Sequence, residues 1–221
     1  AGEATIRNGS VVRAATAAGV MGSGSKLVVD NSRLDATSAV THEPALHIIE
    51  GGEANLLNGA IAIGHLGALV QGPGSRLVAH DATIESSSQD PSMPDLSALS
   101  VTDGAVVELV DTIVKAGEGS ALLLGHTGTS DETNRVAMSG GGLTGSGTQL
   151  PVIHVGGRMA NDRTGADELH LSHGARAEAG GPQLVRVIGA PAIGDHAAFK
   201  LFADDAALVG NPASLNAELD V

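Results

Sequence analysis

A short apolar stretch, a turn of Asn, Asp, Gly or Ser, and a second apolar stretch ending near Gly recur eight times along this chain of 221 residues. The first copy opens with Ala4-Thr-Ile-Arg-Asn-Gly-Ser-Val11. It returns as Leu27-Val-Val-Asp-Asn-Ser-Arg-Leu34, Ala54-Asn-Leu-Leu-Asn-Gly-Ala-Ile61 and Leu77-Val-Ala-His-Asp-Ala-Thr-Ile84. Weaker copies start near Val107, Val136, Leu169 and Phe199, so consecutive starts lie 23 to 33 residues apart. No window carries an apolar stripe of helical period with capping residues. Short strands at an irregular period of this length specify a solenoid, because each unit buries its apolar side only against its neighbours. Equivalent strands run in the same direction, so they pair in parallel, with layers about 4.8 Å apart. Two strands per unit are expected, the second set including Ala45-Leu-His-Ile-Ile49, Ala68-Leu-Val70, Ala121-Leu-Leu-Leu124 and Val152-Ile-His-Val155. The expected fold is all-β, a single segment over residues 1–221 of about eight coils.

The core of such a tube must be aliphatic here. Apolar residues make up 42% of the chain, yet it has no Trp, no Tyr and only two Phe, Phe199 and Phe202. The 31 glycines follow no triplet period, which excludes collagen. Asp and Glu number 25 against 12 Lys and Arg, a net charge of -13, so nucleic acid and anionic membranes are poor partners. With no Cys, disulfides and thiolate metal sites are excluded. No stretch reaches the roughly 18 apolar residues of a membrane-spanning helix. The strand-like start and the uncapped end at Asp220-Val221 suggest a piece of a longer protein.

Asn8, Asn31 and Asn58 fall at one turn register, continued by Asp81 and Asp111. Asn and Asp tolerate left-handed backbone and bond neighbouring backbone groups, so the column reads as structural. Pro, Ser, Asp and Gly accumulate in insertions at 86–97, 125–135 and 156–168, with a shorter one at 35–44. Loops of this kind carry binding in solenoids. The residues expected to meet a partner are Asp90, Met93, Asp95, His126, Asp131, Glu132, Arg158, Asp162, Arg163 and Asp167.

The stretch Gly67-Ala-Leu-Val-Gln-Gly-Pro-Gly-Ser-Arg-Leu-Val-Ala-His-Asp-Ala-Thr-Ile84 resembles the passenger region of pertactin-type autotransporters. Leu169-His-Leu-Ser-His-Gly-Ala-Arg-Ala-Glu-Ala-Gly180 with Leu184-Val-Arg-Val187 is the second such stretch. The resemblance is one of repeat pattern, and it spans nearly the whole chain. It implies a right-handed parallel β-helix displayed on the outer surface of a Gram-negative bacterium, or secreted. It also implies a role in adhesion or in binding host proteins, as a virulence factor, with membrane attachment only through a barrel that this chain lacks. No Arg-Gly-Asp tripeptide is present, and no protease domain is visible.

Two rival readings follow from the same residues. A polysaccharide lyase or hydrolase would need converging carboxylates, for which Asp30, Asp81 and Asp111 with Arg33 and Arg76 are the candidates. The lack of Trp and Tyr weighs against a sugar cleft, so no catalysis is expected. A plain spacer is the other. No cofactor or metal is expected: the pairs His170 with His173 and His42 with His47 have no third ligand in reach. Gly140-Gly-Gly142 reads as a turn, since neither a helix nor Gly-Lys-Ser/Thr follows.

Overall fold

The computed structural model describes residues 1–37, 43–88, 97–125, 132–147, 150–156, 167–181, 183–187 and 199–210. Over these it is all-β, with no helix. The first sheet stacks Glu3–Ile6, Lys26–Asp30, Glu53–Leu57, Arg76–His80, Val106–Val110, Arg135–Ser139, Asp167–Ser172 and Phe199–Asp204. The second stacks Val11–Arg13, Arg33–Asp35, Ile61–Gly64, Thr83–Ser86, Ile113–Ala116, Gly142–Gly145, Arg176–Ala179 and Ala207–Val209. The third stacks Ala18–Met21, Pro44–Ile49, Leu66–Gln71, Leu99–Thr102, Leu122–Gly125, Ile153–Val155 and Val185–Val187. The chain visits the three sheets in turn and begins again one layer on, and all neighbouring strands pair in parallel. The fold is a parallel β-helix.

Each of the first seven coils thus holds three strands where the sequence suggested two. The reason is local. The first and second strands are separated by only two to four residues, and the repeat reads through them as one apolar stretch. The corner is made by a residue with left-handed backbone: Asn8, Asn31, Asn58, Asp81 and Asp111, with φ between 45° and 64°. The expected column therefore exists, and Gly140, His173 and Asp205 complete it. Backbone groups close the corner between coils, as in Gly9 N–H to Asn31 O at 2.7 Å and Gly59 N–H to Asp81 O at 2.6 Å. Gly140-Gly-Gly142 is the same corner in the sixth coil.

Inside, side chains stack in register. One column of the first sheet runs Ala4, Leu27, Ala54, Leu77, Val107, Val136, Leu169, Leu201. The next runs Ile6, Val29, Leu56, Ala79, Leu109, Met138, Leu171, Ala203. Small and large residues alternate in the first four layers of the first column, and the rest of both columns is aliphatic or Met, with Phe199 the aromatic side chain of the core. Burial of each Leu or Ile contributes about 2 kcal/mol. Lys26, Val28 and Asp30 point outward while Leu27 and Val29 are buried, so the alternation is clean.

Candidate functional site

Where the insertions leave the tube is fixed by the strands that flank them. Segments 36–43 and 87–98 connect the second sheet to the third. Segments 126–134 and 156–166 connect the third sheet to the first, in the fifth and sixth coils. The expected partner residues therefore divide between two corners. Asp90, Met93 and Asp95 belong to one; His126, Asp131, Glu132, Arg158, Asp162, Arg163 and Asp167 belong to the other. Of these ten, Glu132 and Asp167 fall within the described residues, and the other eight lie outside them.

Glu132 is exposed, and its side-chain stem lies over Gly104. Asp167 differs from the expectation. It is the first residue of a strand of the first sheet, not a loop residue, and is only 2% exposed. Its inward position comes from strand alternation, since Glu168 beside it faces out. One oxygen accepts the Asn134 side-chain amide at 2.9 Å and the Asn134 backbone N–H at 3.3 Å. Asn134 is fully buried, donates to Gly125 O at 2.8 Å and accepts Gly104 N–H at 2.9 Å.

This cluster repeats an arrangement found earlier in the tube. Ser75 occupies the equivalent place, immediately before a strand of the first sheet. Its hydroxyl accepts Gly51 N–H at 3.1 Å and donates to Gln71 O at 2.6 Å. In both coils a buried side-chain oxygen satisfies the N–H of a left-handed glycine one layer back, which would otherwise be an unmet donor. Sequence reading missed this column. Its signal is a polar residue before a Lys/Arg/Glu-(apolar) pair, as at Ser25, Ser75, Asn134 and Asp167, although Gly52 before Glu53-Ala54 breaks it. The corner that carries the insertions of the fifth and sixth coils is thus held from within by polar groups.

The three outer faces differ. The first sheet presents Glu3, Lys26, Glu53 and Arg76 in one column, then Arg135, Glu168 and Lys200. Lys26 meets Glu53 at 3.1 Å, Arg135 meets Glu168 at 3.3 Å and Arg76 meets Glu108 at 2.8 Å. Pairs this exposed each contribute about 0.5 kcal/mol, but their alternation disfavours slipped registers. The third sheet is more neutral outside, with His47, Leu69, Ser100 and Leu123 aligned. Burial holds the His47 imidazole below its ordinary pKa, and Glu43 partly opposes this.

The residues considered for catalysis take up structural positions. Asp81 and Asp111 form the left-handed corners. Asp30 accepts the Asn58 amide at 2.8 Å, Arg33 bonds Asp35 at 3.2 Å, and Arg76 bonds Glu108. His170 stacks on Phe202, whereas His173 is a corner residue whose Nδ1 lies 3.0 Å from Ser172 Oγ. Among the described residues no three His, Asp or Glu side chains converge as a metal would require.

Asp35 is buried on the second sheet, 3% exposed. Hydrogen bonds from the Thr37 hydroxyl at 2.6 Å and the Thr37 backbone, then from Arg33 and Arg13, lower its pKa to about 2 against the opposing effect of burial. Since the folded value lies below the ordinary 3.8, this contribution is complete above pH 3.8. It fades as pH falls toward 2. It is about 2 kcal/mol. Asp35→Asn should therefore lower stability at pH 6 and lose its penalty near pH 2, which urea melts of both forms would measure. An unchanged gap between pH 6 and pH 2 would contradict the assignment.

Compared with family models, curated proteins and solved structures, the chain has no match. Its sequence and geometry alone carry the functional reading.

Proposed function

We propose that this chain is part of a surface-displayed or secreted bacterial passenger scaffold, a pertactin-like autotransporter segment that binds a host protein or cell-surface macromolecule through its insertions. One observation carries the reading: the insertions holding His126, Asp131 and Glu132, and then Arg158, Asp162 and Arg163, leave the same corner in consecutive coils. Their roots are about 5 Å apart along the tube. Loops rooted this closely on a rigid scaffold can act together on one partner. The insertion with Asp90, Met93 and Asp95 leaves a different corner and serves as the internal comparison.

The test replaces 126–131 and 157–166 by short Gly-Ser linkers, sparing Asn134 and Asp167, which hold the corner. A third variant replaces 89–96. Beads coated with each form are assayed for attachment to cultured epithelial cells. Replacing both 126–131 and 157–166 should reduce attachment at least about tenfold with the melting temperature preserved, while replacing 89–96 should matter less. Full attachment by the doubly replaced form would remove the corner from the account. Attachment of wild-type beads no better than that of uncoated beads would remove adhesion itself.

A further inference from the structure

The outer face of the first sheet carries a second feature, apart from the corner loops. Its middle column reads Glu108, Ala137, His170, Phe202 in successive coils. The imidazole of His170 and the ring of Phe202 stack with centroids 4.3 Å apart and planes 12° from parallel. Phe202 is 38% exposed, on a chain with two Phe and no Trp or Tyr. One layer before His170 the column drops to the single methyl of exposed Ala137. One layer further, the Glu108 carboxylate turns aside to Arg76 at 2.8 Å. The result is a step in the ring column, floored by Ala137 and walled by the face of His170. Arg135 and Ser139 flank it, because they share the outward face of the same strand.

We propose that this step is a docking slot for one aromatic side chain of a partner protein. A ring seated over Ala137 would lie about 4.8 Å from His170, the spacing of neighbouring strands. That spacing falls within the separation at which aromatic rings attract beyond simple burial. The seated ring would extend the His170–Phe202 stack by one member. The guanidinium of Arg135, whose side chain is 63% exposed, is anchored by Glu168 at 3.3 Å beside the slot. A cation held there favours the electron-rich face of an aromatic ring over an aliphatic side chain of equal area. The same preference selects against an acidic saccharide, because Glu168 already occupies the cation. The slot goes beyond the loop reading and does not depend on it: the corner insertions can be removed with the slot intact, and the slot filled with the insertions intact.

The experiment titrates the isotope-labelled chain with N-acetyl-tryptophanamide and follows amide and methyl shifts, with N-acetyl-leucinamide and glucuronic acid as comparison probes. The expected result is saturable shifts at Ala137, His170, Phe202 and Arg135, with a dissociation constant of about 1–10 mM for so small a ligand. Ala137→Leu, which fills the slot from an exposed position, should weaken binding at least about tenfold, and Phe202→Leu should weaken it less. Equal shifts with the leucine probe would overturn the proposal. So would tryptophan-probe shifts that survive Ala137→Leu, or saturable binding of glucuronic acid in place of the aromatic.

Discussion

Gly141→Ala should cost about 3–5 kcal/mol and leave much of the population unfolded in mild urea. Gly141 has φ +69°, and an added Cβ would run into the carbonyl oxygen of Thr112, with Thr112 N only 2.6 Å away. Thr112 has no room to retreat. It is fully buried, its hydroxyl donates to Ala79 O or Val110 O, and its carbonyl accepts Gly142 N–H. Gly9→Ala is the matched comparison. Gly9 sits at the same corner of the first coil with φ +72°, but an added Cβ meets nothing within 4 Å. It should cost only the left-handed backbone penalty, about 1 kcal/mol. Urea melts of the two variants separate packing from conformation. Equal losses would mean that successive corners do not nest as described.

Asn134→Ala is expected to cost a similar amount, about 3–5 kcal/mol, for an electrostatic reason. The substitution removes the acceptor for Gly104 N–H and the donor to Gly125 O. It also removes the side-chain amide that faces the buried Asp167 carboxylate. Asn134→Asp keeps the shape but sets two carboxylates together, so at neutral pH it should do as badly, with partial recovery in acid. Asp167→Asn keeps a hydrogen-bonding side chain and discards a buried charge, so its cost should be nearer 1 kcal/mol. Denaturation midpoints at pH 7 and pH 4.5 measure all three. If Asn134→Asp were as stable as the parent at pH 7, the side-chain pairing of Asn134 with Asp167 would be wrong.

The fold was legible because its corners use residues with a marked backbone preference. Asn8, Asn31, Asn58, Asp81 and Asp111 announce one register, and the apolar positions follow from it. Gly140 and His173 hold the same place without announcing it, since glycine is common throughout the chain and histidine marks a turn less strongly than Asn or Asp. The third strand stayed hidden because the first two run almost without a break. The site was harder to read. Whether Asp167 faces a partner or the core depends on a single step of strand alternation, and composition alone favours a solvated loop. The step at Ala137 needed the layers aligned one on another. Repeats of 23 to 33 residues do not allow that alignment until the corner column is placed.

The order in which strands pair has a mechanical consequence. Among the described residues every strand bonds only to its counterparts in the preceding and following turns, and none reaches across the tube to a distant part of the sequence. A polypeptide of this kind delivered lengthwise through a narrow passage can gain structure as it emerges. Each newly arrived stretch finds a finished template waiting, and once seated it resists being drawn back. Delivered in that way, such a thread would act as its own ratchet.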